Sequence, residues 1–453
     1  KKEYDEPVTS RMHVEYTDAA ITLRWQQGEM APAVERTFAV DPLDRPETKN
    51  RLKQNLYALL SDATGQYLPW GTLTGIRPTK IPMKLLEEGK SRDEIYTYMK
   101  QTYFASDEKI CLATDIAERE LSLLSKIDYD NGYSLYIGIP FCPTTCLYCS
   151  FTSYPIASWA KRVDSYLDAL EREIEFAAVK FAGRHLNSIY IGGGTPTTLS
   201  TAQLERLLKA IGQHLDLSDC LEFTVEAGRP ETLDPAKLQA LYNGGCNRIS
   251  INPQTMNDQV LQAIGRSHTT AQILTAYQAA CAAGFRHINM DLIAGLPQDS
   301  VEGFRDSLEE VLALRPENIT VHTLAMKKGS RLMEEGGALP SGEETGRMVD
   351  LSLEALEGAG YRPYYLYRQK YMSGGLENVS WCLPGTENHY NIIMMEELQS
   401  VLSLGAGGVT KLVDRSSGRI VRLTNPKYPH DYLAMSAKVL EQKDEILRFY
   451  REV

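Results

Sequence analysis

Between Tyr133 and His322, six short apolar runs alternate with five helical patterns, a rhythm expected of a parallel sheet built from βα units. The expected strands are Tyr133 to Ile139, Asn187 to Ile191, Leu221 to Glu226, Arg248 to Ile251, His287 to Ile293 and Asn318 to His322. The helical patterns lie near Trp159 to Phe181, Thr201 to His214, Pro235 to Tyr242, Thr270 to Ala283 and Val301 to Leu314. This predicts an α/β fold, a partial (β/α)6 barrel, in which function collects on the loops after the carboxyl ends of the strands.

The pattern differs on either side of this stretch. From Met12 to about Val40 the chain reads as short alternating strands, M-H-V-E-Y, A-I-T-L-R-W and R-T-F-A-V. Helix-like segments follow near Lys49 to Leu60, Ile81 to Glu87 and Ala105 to Leu124. Residues 1–126 are therefore expected to form a small α+β accessory domain. Within it, Leu68-Pro69-Trp70-Gly71 and Gly75-Ile76-Arg77-Pro78 read as surface turns. The barrel is expected over 127–325, and after His322 its pattern dissolves into an α+β carboxyl-terminal region, 326–453, expected to cover the substrate. A chain of 453 residues suits two or three domains. Its start, Lys1-Lys2 rather than Met, is consistent with processing or truncation.

A formal net charge of −11 argues against a nucleic-acid partner, which would draw its affinity from clustered Lys and Arg. No secretory signal and no membrane-spanning apolar run is visible. Eight cysteines without framework spacing give no disulfide scaffold and fit a reducing cytosol, so a cytoplasmic location is expected.

Three of those cysteines, Cys142, Cys146 and Cys149, stand as C-P-T-T-C-L-Y-C directly after the first barrel strand. Three thiolates in one short loop can bind three irons of a 4Fe-4S cluster and leave the fourth iron open for chemistry. A zinc knuckle or buried structural thiols are the alternatives. Structural zinc usually takes four protein ligands in paired spacings. The remaining Cys111, Cys220, Cys246, Cys281 and Cys382 are scattered singly and read as small buried hydrophobes. After the second strand comes Gly192-Gly193-Gly194-Thr195-Pro196-Thr197, a loop whose glycines let backbone groups approach a ligand closely.

The CxxxCxxC spacing resembles the signature of the radical S-adenosylmethionine (radical SAM) superfamily. The form GGGTPT resembles its branch containing oxygen-independent coproporphyrinogen III oxidase. The resemblance covers Tyr133 to His322 firmly and extends more loosely to about Gly408. It implies that Cys142, Cys146 and Cys149 hold the cluster, whose open iron chelates S-adenosylmethionine, and that one electron then cleaves this cofactor to a 5'-deoxyadenosyl radical. It further implies a cofactor site at Tyr136, Tyr148, Phe151, Gly192, Gly193, Gly194, Thr195, Glu226, Gln254, Arg266 and Asp291. The physical chemistry agrees, since a ribose needs acceptors or amides and a carboxylate is met well by a guanidinium.

Two departures bear on substrate. Where the oxidase pattern carries a histidine two residues after the tyrosine and a fourth cysteine beyond the motif, this chain has Gly138 and Phe151. C-L-Y-C-S-F instead resembles oxidase-like paralogues, while E-A-G-R-P, S-I-N-P-Q and the extra amino-terminal domain look closest to the coproporphyrinogen dehydrogenase-like group of Firmicutes. Downstream, Tyr361 to Tyr371 alternates aromatics with Arg and Lys. Such a strip could face a tetrapyrrole and pair its propionates with Arg368 or Lys370, or could be an edge strand with half-buried tyrosines. Asn378, Trp381, Glu387, Asn388, His389 and Tyr390 read as a polar loop; His389 is a further substrate candidate, although a lone loop histidine is more often structural. Leu404-Gly405-Ala406-Gly407-Gly408 resembles the family's glycine turn.

The resemblance implies oxidative decarboxylation of coproporphyrinogen III to protoporphyrinogen IX, fed by a reduced flavodoxin or ferredoxin-type donor. The alternatives are a haem-binding chaperone of the same family and a radical SAM enzyme acting on another tetrapyrrole such as haem.

Overall fold

The computed structural model describes residues 9–451 except 29, 125, 126, 128–130, 152, 328, 336 and 337. The Lys1-Lys2 start and residue 126 of the expected domain boundary lie outside the described residues. The chain divides into two compact units, Lys1–Glu118 and Arg119–Val453.

In the first unit the alternating segments form an antiparallel sheet, β1 (Ser10–Tyr16), β2 (Ala20–Gln27) and β3 (Val34–Ala39), in that order. Ile21 and Leu23 on β2 are buried with Leu59 of the helix Arg45–Thr64. Asp44 caps that helix by accepting from the Glu47 amide, and Gly65 ends it in the left-handed conformation. A further helix, Arg92–Tyr103, lies between the expected ones; its signal is the capping box in which Ser91 and Glu94 satisfy each other's backbone amides. Two expectations need correction. Trp70 lies in a turn but is fully buried, because the chain folds beneath Tyr103 so closely that a Cβ on Gly71 would stand 2.0 Å from the Tyr103 carbonyl oxygen. Cys111 is exposed, since the helix Asp107–Leu124 buries Ile110, Leu112 and Ala113 and turns Cys111 to solvent.

The second unit carries the alternation. Its strands are β4 (Gly132–Ile139), the short pair β5 (Phe141–Cys142) and β6 (Tyr154–Pro155), then β7 (His185–Gly193), β8 (Glu222–Glu226), β9 (Arg248–Ser250), β10 (Ile288–Ala294) and β11 (Asn318–Thr323). Strands β4, β7, β8, β9, β10 and β11 lie side by side, all parallel, giving the six-stranded barrel core in chain order. Leu135, Ile137 and Ile139 on one face of β4 and Ser134 on the other are wholly buried, as expected of a parallel strand covered on both faces. Each of the apolar three contributes about 1.5–3 kcal/mol by leaving water. The crossover helices include Val163–Lys180, Thr201–His214, Pro235–Asn243, Thr270–Ala283 and Val301–Leu314. Their starts are set locally: Ser200 with Gln203 and Thr269 with Gln272 form capping boxes, while Asp234 and Ser300 cap singly.

The carboxyl-terminal chain is woven into the same sheet. Strands β12 (Arg362–Tyr367) and β13 (Asn378–Cys382) extend it antiparallel beyond β11, while β14 (Ser400–Leu404) lies parallel to β4 at the other side and leads to β15 (Val409–Asp414) and β16 (Arg419–Thr424). Asn378 and Trp381 therefore lie on a buried strand rather than in a polar loop. β12 is one of the two edge strands, with its Tyr364 and Tyr365, and Tyr361 just before it, buried. Among the described residues no helix is long and apolar enough to cross a membrane.

Candidate functional site

The cysteine loop leaves the carboxyl end of β4 and is closed at its base. β5 pairs with β6, and the Tyr154 amide donates to the Pro140 carbonyl, 2.9 Å. Within the loop the Cys149 amide donates to Cys146 O, and the Leu147 amide donates to Ile264 O at 3.0 Å, fastening the loop to the segment that carries Arg266. Cys146 is buried, Cys142 and Cys149 are partly exposed, and all eight cysteines are free thiols. Burial pushes the Cys142 thiol up and the Cys149 thiol up to about 11, and the charge of neighbouring loop cysteines adds to both rises.

The glycine loop ends β7 immediately beside it. Gly193 has a φ of +106°, a left-handed backbone that glycine takes without strain. A Cβ on Gly194 would stand 2.5 Å from Phe141 O and 3.0 Å from Cys142 Sγ, so backbone and thiol meet with no room for a side chain. The Thr195 amide donates to Phe141 O, 2.7 Å, and its hydroxyl reaches Cys142 Sγ at 3.5 Å.

The polar residues stand on successive strand ends. Glu226, the last residue of β8, accepts from the Tyr190 hydroxyl and from Asn252 Nδ2 at 3.1 Å. Tyr190 is itself part of an aromatic stack, 6.3 Å from Tyr136 and 4.6 Å from Tyr390 between ring centres. Asp291 accepts from Asn289 Nδ2 at 2.7 Å, and its Oδ2 lies 3.3 Å from His322 Nε2. Gln254 takes the left-handed conformation, φ +70°, and its buried Oε1 has no hydrogen-bond partner. A non-glycine residue in this region is uncommon, and a buried acceptor left bare costs about 1–3 kcal/mol. A ligand donor would satisfy it. Arg266 donates from Nη1 to Gly228 O and Asn252 O, 2.9 and 2.7 Å, and from Nη2 to the Tyr148 hydroxyl, 3.3 Å, while its buried Nε has no partner. Phe151 is 70% exposed, with the Lys327 ammonium 5.5 Å from its ring centre.

Tyr190, Asn252, His322 and Arg229 join this set without having been singled out from sequence. Only Tyr190 carried a local signal, standing two residues before Gly192 and so on the same face of β7.

The candidate substrate residues Arg368, Lys370 and His389 follow the ends of the added strands or open the helix beside them. Arg368 donates to Gly375 O at 2.7 Å and Leu376 O at 3.3 Å, closing the turn that follows β12. Lys370 is exposed. His389 opens the helix His389–Glu396, capped by Asn388, and its amide donates to Glu222 Oε2 at 2.9 Å.

The arrangement fits a cluster. Donors already face two of the three sulfurs, the Thr195 hydroxyl at Cys142 Sγ and an Arg229 N–H at Cys146 Sγ, as hydrogen bonds to cluster thiolates do. The tight Gly194 cradle and the unsatisfied Gln254 and Arg266 atoms likewise suit a ligand bound across the strand ends.

Glu226 also makes the site pH-sensitive. Burial, with Asp291 nearby, pushes its carboxyl up from 4.5 to about 7, although Tyr190, Asn252 and His322 pull it down. Burial would raise Asp291 too, but His322 holds it below its usual value. A raised carboxyl pKa contributes stability that is full below the unfolded value and is lost as pH rises through the folded one. The loss through Glu226 is on the order of 3 kcal/mol. Asp291 works in the opposite sense, its contribution being lost only as pH falls through its own range. In urea unfolding between about pH 5 and 8, Glu226→Gln is expected to flatten the decline seen in the parent. Parallel curves would show that Glu226 does not take up a proton on folding.

Residues 136–311 match the family model for the Radical SAM superfamily. The oxygen-independent coproporphyrinogen-III oxidase-like protein HemZ of Bacillus subtilis is 39% identical over 413 residues, 90% of this chain and 82% of its own length. Heme chaperone HemW of the same organism is 36% identical over 250 residues, 54% of this chain and 65% of its own. Among solved structures, the radical SAM enzyme coproporphyrinogen III oxidase HemN of Escherichia coli matches with a TM-score of 0.58 and 26% identity, covering 68% of this chain and 70% of its own. Cluster loop, glycine strand end, parallel barrel and relatives agree: the chain belongs to the radical SAM superfamily, in its oxygen-independent coproporphyrinogen III oxidase-like branch, whose cofactors are a 4Fe-4S cluster and S-adenosylmethionine.

Proposed function

We propose that this chain decarboxylates the propionates of coproporphyrinogen III to vinyls, giving protoporphyrinogen IX, with Cys142, Cys146 and Cys149 as the cluster ligands. When bound, cluster and S-adenosylmethionine supply one-electron chemistry that delivers a 5'-deoxyadenosyl radical to a propionate β-carbon. The observation that carries the reading is the three-thiol loop seated against Gly194 at the carboxyl ends of β4 and β7. The chain's own residues bind and orient. Backbone groups of Gly192 to Thr195 meet the methionyl amine, Gln254 Oε1 accepts from the cofactor, and Glu226 and Asp291 serve the ribose hydroxyls. Arg266, with Tyr148, serves the carboxylate. Tyr136 and Phe151 complete the cofactor site. Residues 1–126, 127–325 and 326–453 serve as accessory domain, barrel and substrate cover. A flavodoxin or ferredoxin-type protein of the cytoplasm supplies the electron that starts each round; the β-hydrogen leaves as part of 5'-deoxyadenosine, and carbon dioxide departs as the remaining electron passes to a one-electron acceptor.

Gly138 favours keeping a second reading, haem delivery or radical chemistry on another tetrapyrrole. A Cβ there would meet Ala406 O at 3.2 Å and Leu404 O at 3.4 Å, so the place of the oxidase histidine is filled by the chain's own glycine turn. One experiment separates the readings. The protein is reconstituted without oxygen and incubated with S-adenosylmethionine, a reductant and coproporphyrinogen III, following 5'-deoxyadenosine and porphyrin mass together. Deoxyadenosine with stepwise loss of two carboxyl groups is the expected result. Deoxyadenosine with an intact porphyrin would overturn the substrate and move the test to haem.

A further inference from the structure

Arg229 follows the end of β8 in Glu226-Ala227-Gly228-Arg229-Pro230, and its side chain is 3% exposed. Its Nη1 donates to Cys146 Sγ at 3.3 Å and to Thr144 O at 3.3 Å, and its Nη2 donates to Thr144 Oγ1 at 2.8 Å. One guanidinium thus grips a cluster cysteine and the residue two places before it. Its opposite edge meets Glu231, with Nε and Nη2 each 2.8 Å from Oε1. Glu231 is fixed in turn: its Oε2 lies 2.9 Å from Nδ1 of the wholly buried His268, and Ser267 Oγ donates to Oε1 at 3.2 Å. The neighbouring Arg266 also faces Cys146 with its charge and a hydrogen bond, while its Nη1 bonds the Gly228 and Asn252 carbonyls.

Reducing a thiolate-ligated cluster adds negative charge that spreads onto the sulfurs. A cationic N–H aimed at one of those sulfurs favours the reduced state, because hydrogen bonds and nearby charge set the potential. A carboxylate behind that donor acts in the opposite direction. We propose that Arg229, braced by Glu231, is a positioning residue of the cluster site that fixes Cys146 and raises the reduction potential of the cluster it helps to hold. The proposal rests on the cluster reading above.

Anaerobic potentiometric titration, read by the EPR signal of the reduced cluster beside iron content, tests it on the parent, Arg229→Gln and Glu231→Gln. At a fixed applied potential, Arg229→Gln is expected to lower the ratio of reduced to oxidised cluster about tenfold, a shift of about 59 mV for one electron. Glu231→Gln, which leaves the guanidinium but removes its counter-charge, is expected to move the ratio the other way. Opposite signs cannot come from simple damage to the loop. Should Arg229→Gln fail to take up iron, the upward shift in Glu231→Gln still decides the matter. Potentials that stay at the parent's value, or fall in both variants, would overturn the proposal. A parent that binds no iron would overturn the cluster reading itself.

Discussion

Cys146→Ala protein, reconstituted without oxygen beside the parent, is expected to lose the absorbance and EPR signal of a 4Fe-4S cluster and at least about 100-fold of its 5'-deoxyadenosine formation. Losing an indirect partner of a metal ligand already costs about 10–100-fold, and losing a ligand costs more. Cys146 is the buried member of the three, the one that takes the Arg229 hydrogen bond, and its loop is pinned to Ile264 through Leu147. Alanine fills the pocket without supplying a ligand, so the fold survives while the metal site does not. Cys246→Ala supplies the control, because that thiol is equally enclosed but lies far along the chain from the loop. A Cys146→Ala protein that keeps its cluster, or a Cys246→Ala protein that loses it, would sink the assignment.

Glu173→Ala is expected to cost about 3–5 kcal/mol in denaturant unfolding, the penalty for stranding one member of a buried ion pair. Glu173 and Lys443 are 1% and 2% exposed and lie 3.1 Å apart. The same carboxylate accepts from the Gly405 amide at 2.8 Å, the Tyr432 hydroxyl at 2.6 Å and Asn425 Nδ2 at 2.8 Å. Lys443 also donates to Ser403 O. Truncation therefore leaves an ammonium, a backbone amide, a side-chain amide and a hydroxyl buried without their shared acceptor. Glu173→Gln keeps the shape and one acceptor and should lose less. An unchanged unfolding midpoint in Glu173→Ala would mean that water enters and replaces the carboxylate.

The two effects differ in how readable they were from the chain. The cysteine spacing, the triple glycine and the barrel strands are local signals, and apolar runs framed by Ser, Thr and Asp caps mark the crossover helices well. Arg92–Tyr103 escaped although Ser91 and Glu94 announce it, because its apolar face is interrupted by polar residues. Pairings across long stretches left no such trace. Nothing local says that β14 lies against β4, that Tyr390 stacks on Tyr190, or that Glu173 meets Lys443. For the same reason Arg229 read only as part of a family-like string, since its contact with Cys146 joins positions 83 residues apart.

The place of β14 also orders events in time. A nascent chain that has already made β4 through β11 has β7 on one side of Tyr133 to Ile137 but still lacks the strand on the other, because that partner is Ser400–Leu404. Until those residues leave the ribosome, β4 presents an unpaired row of amides and carbonyls, the kind of edge on which chains aggregate. Early termination upstream of Ser400 should therefore yield insoluble rather than partly active protein.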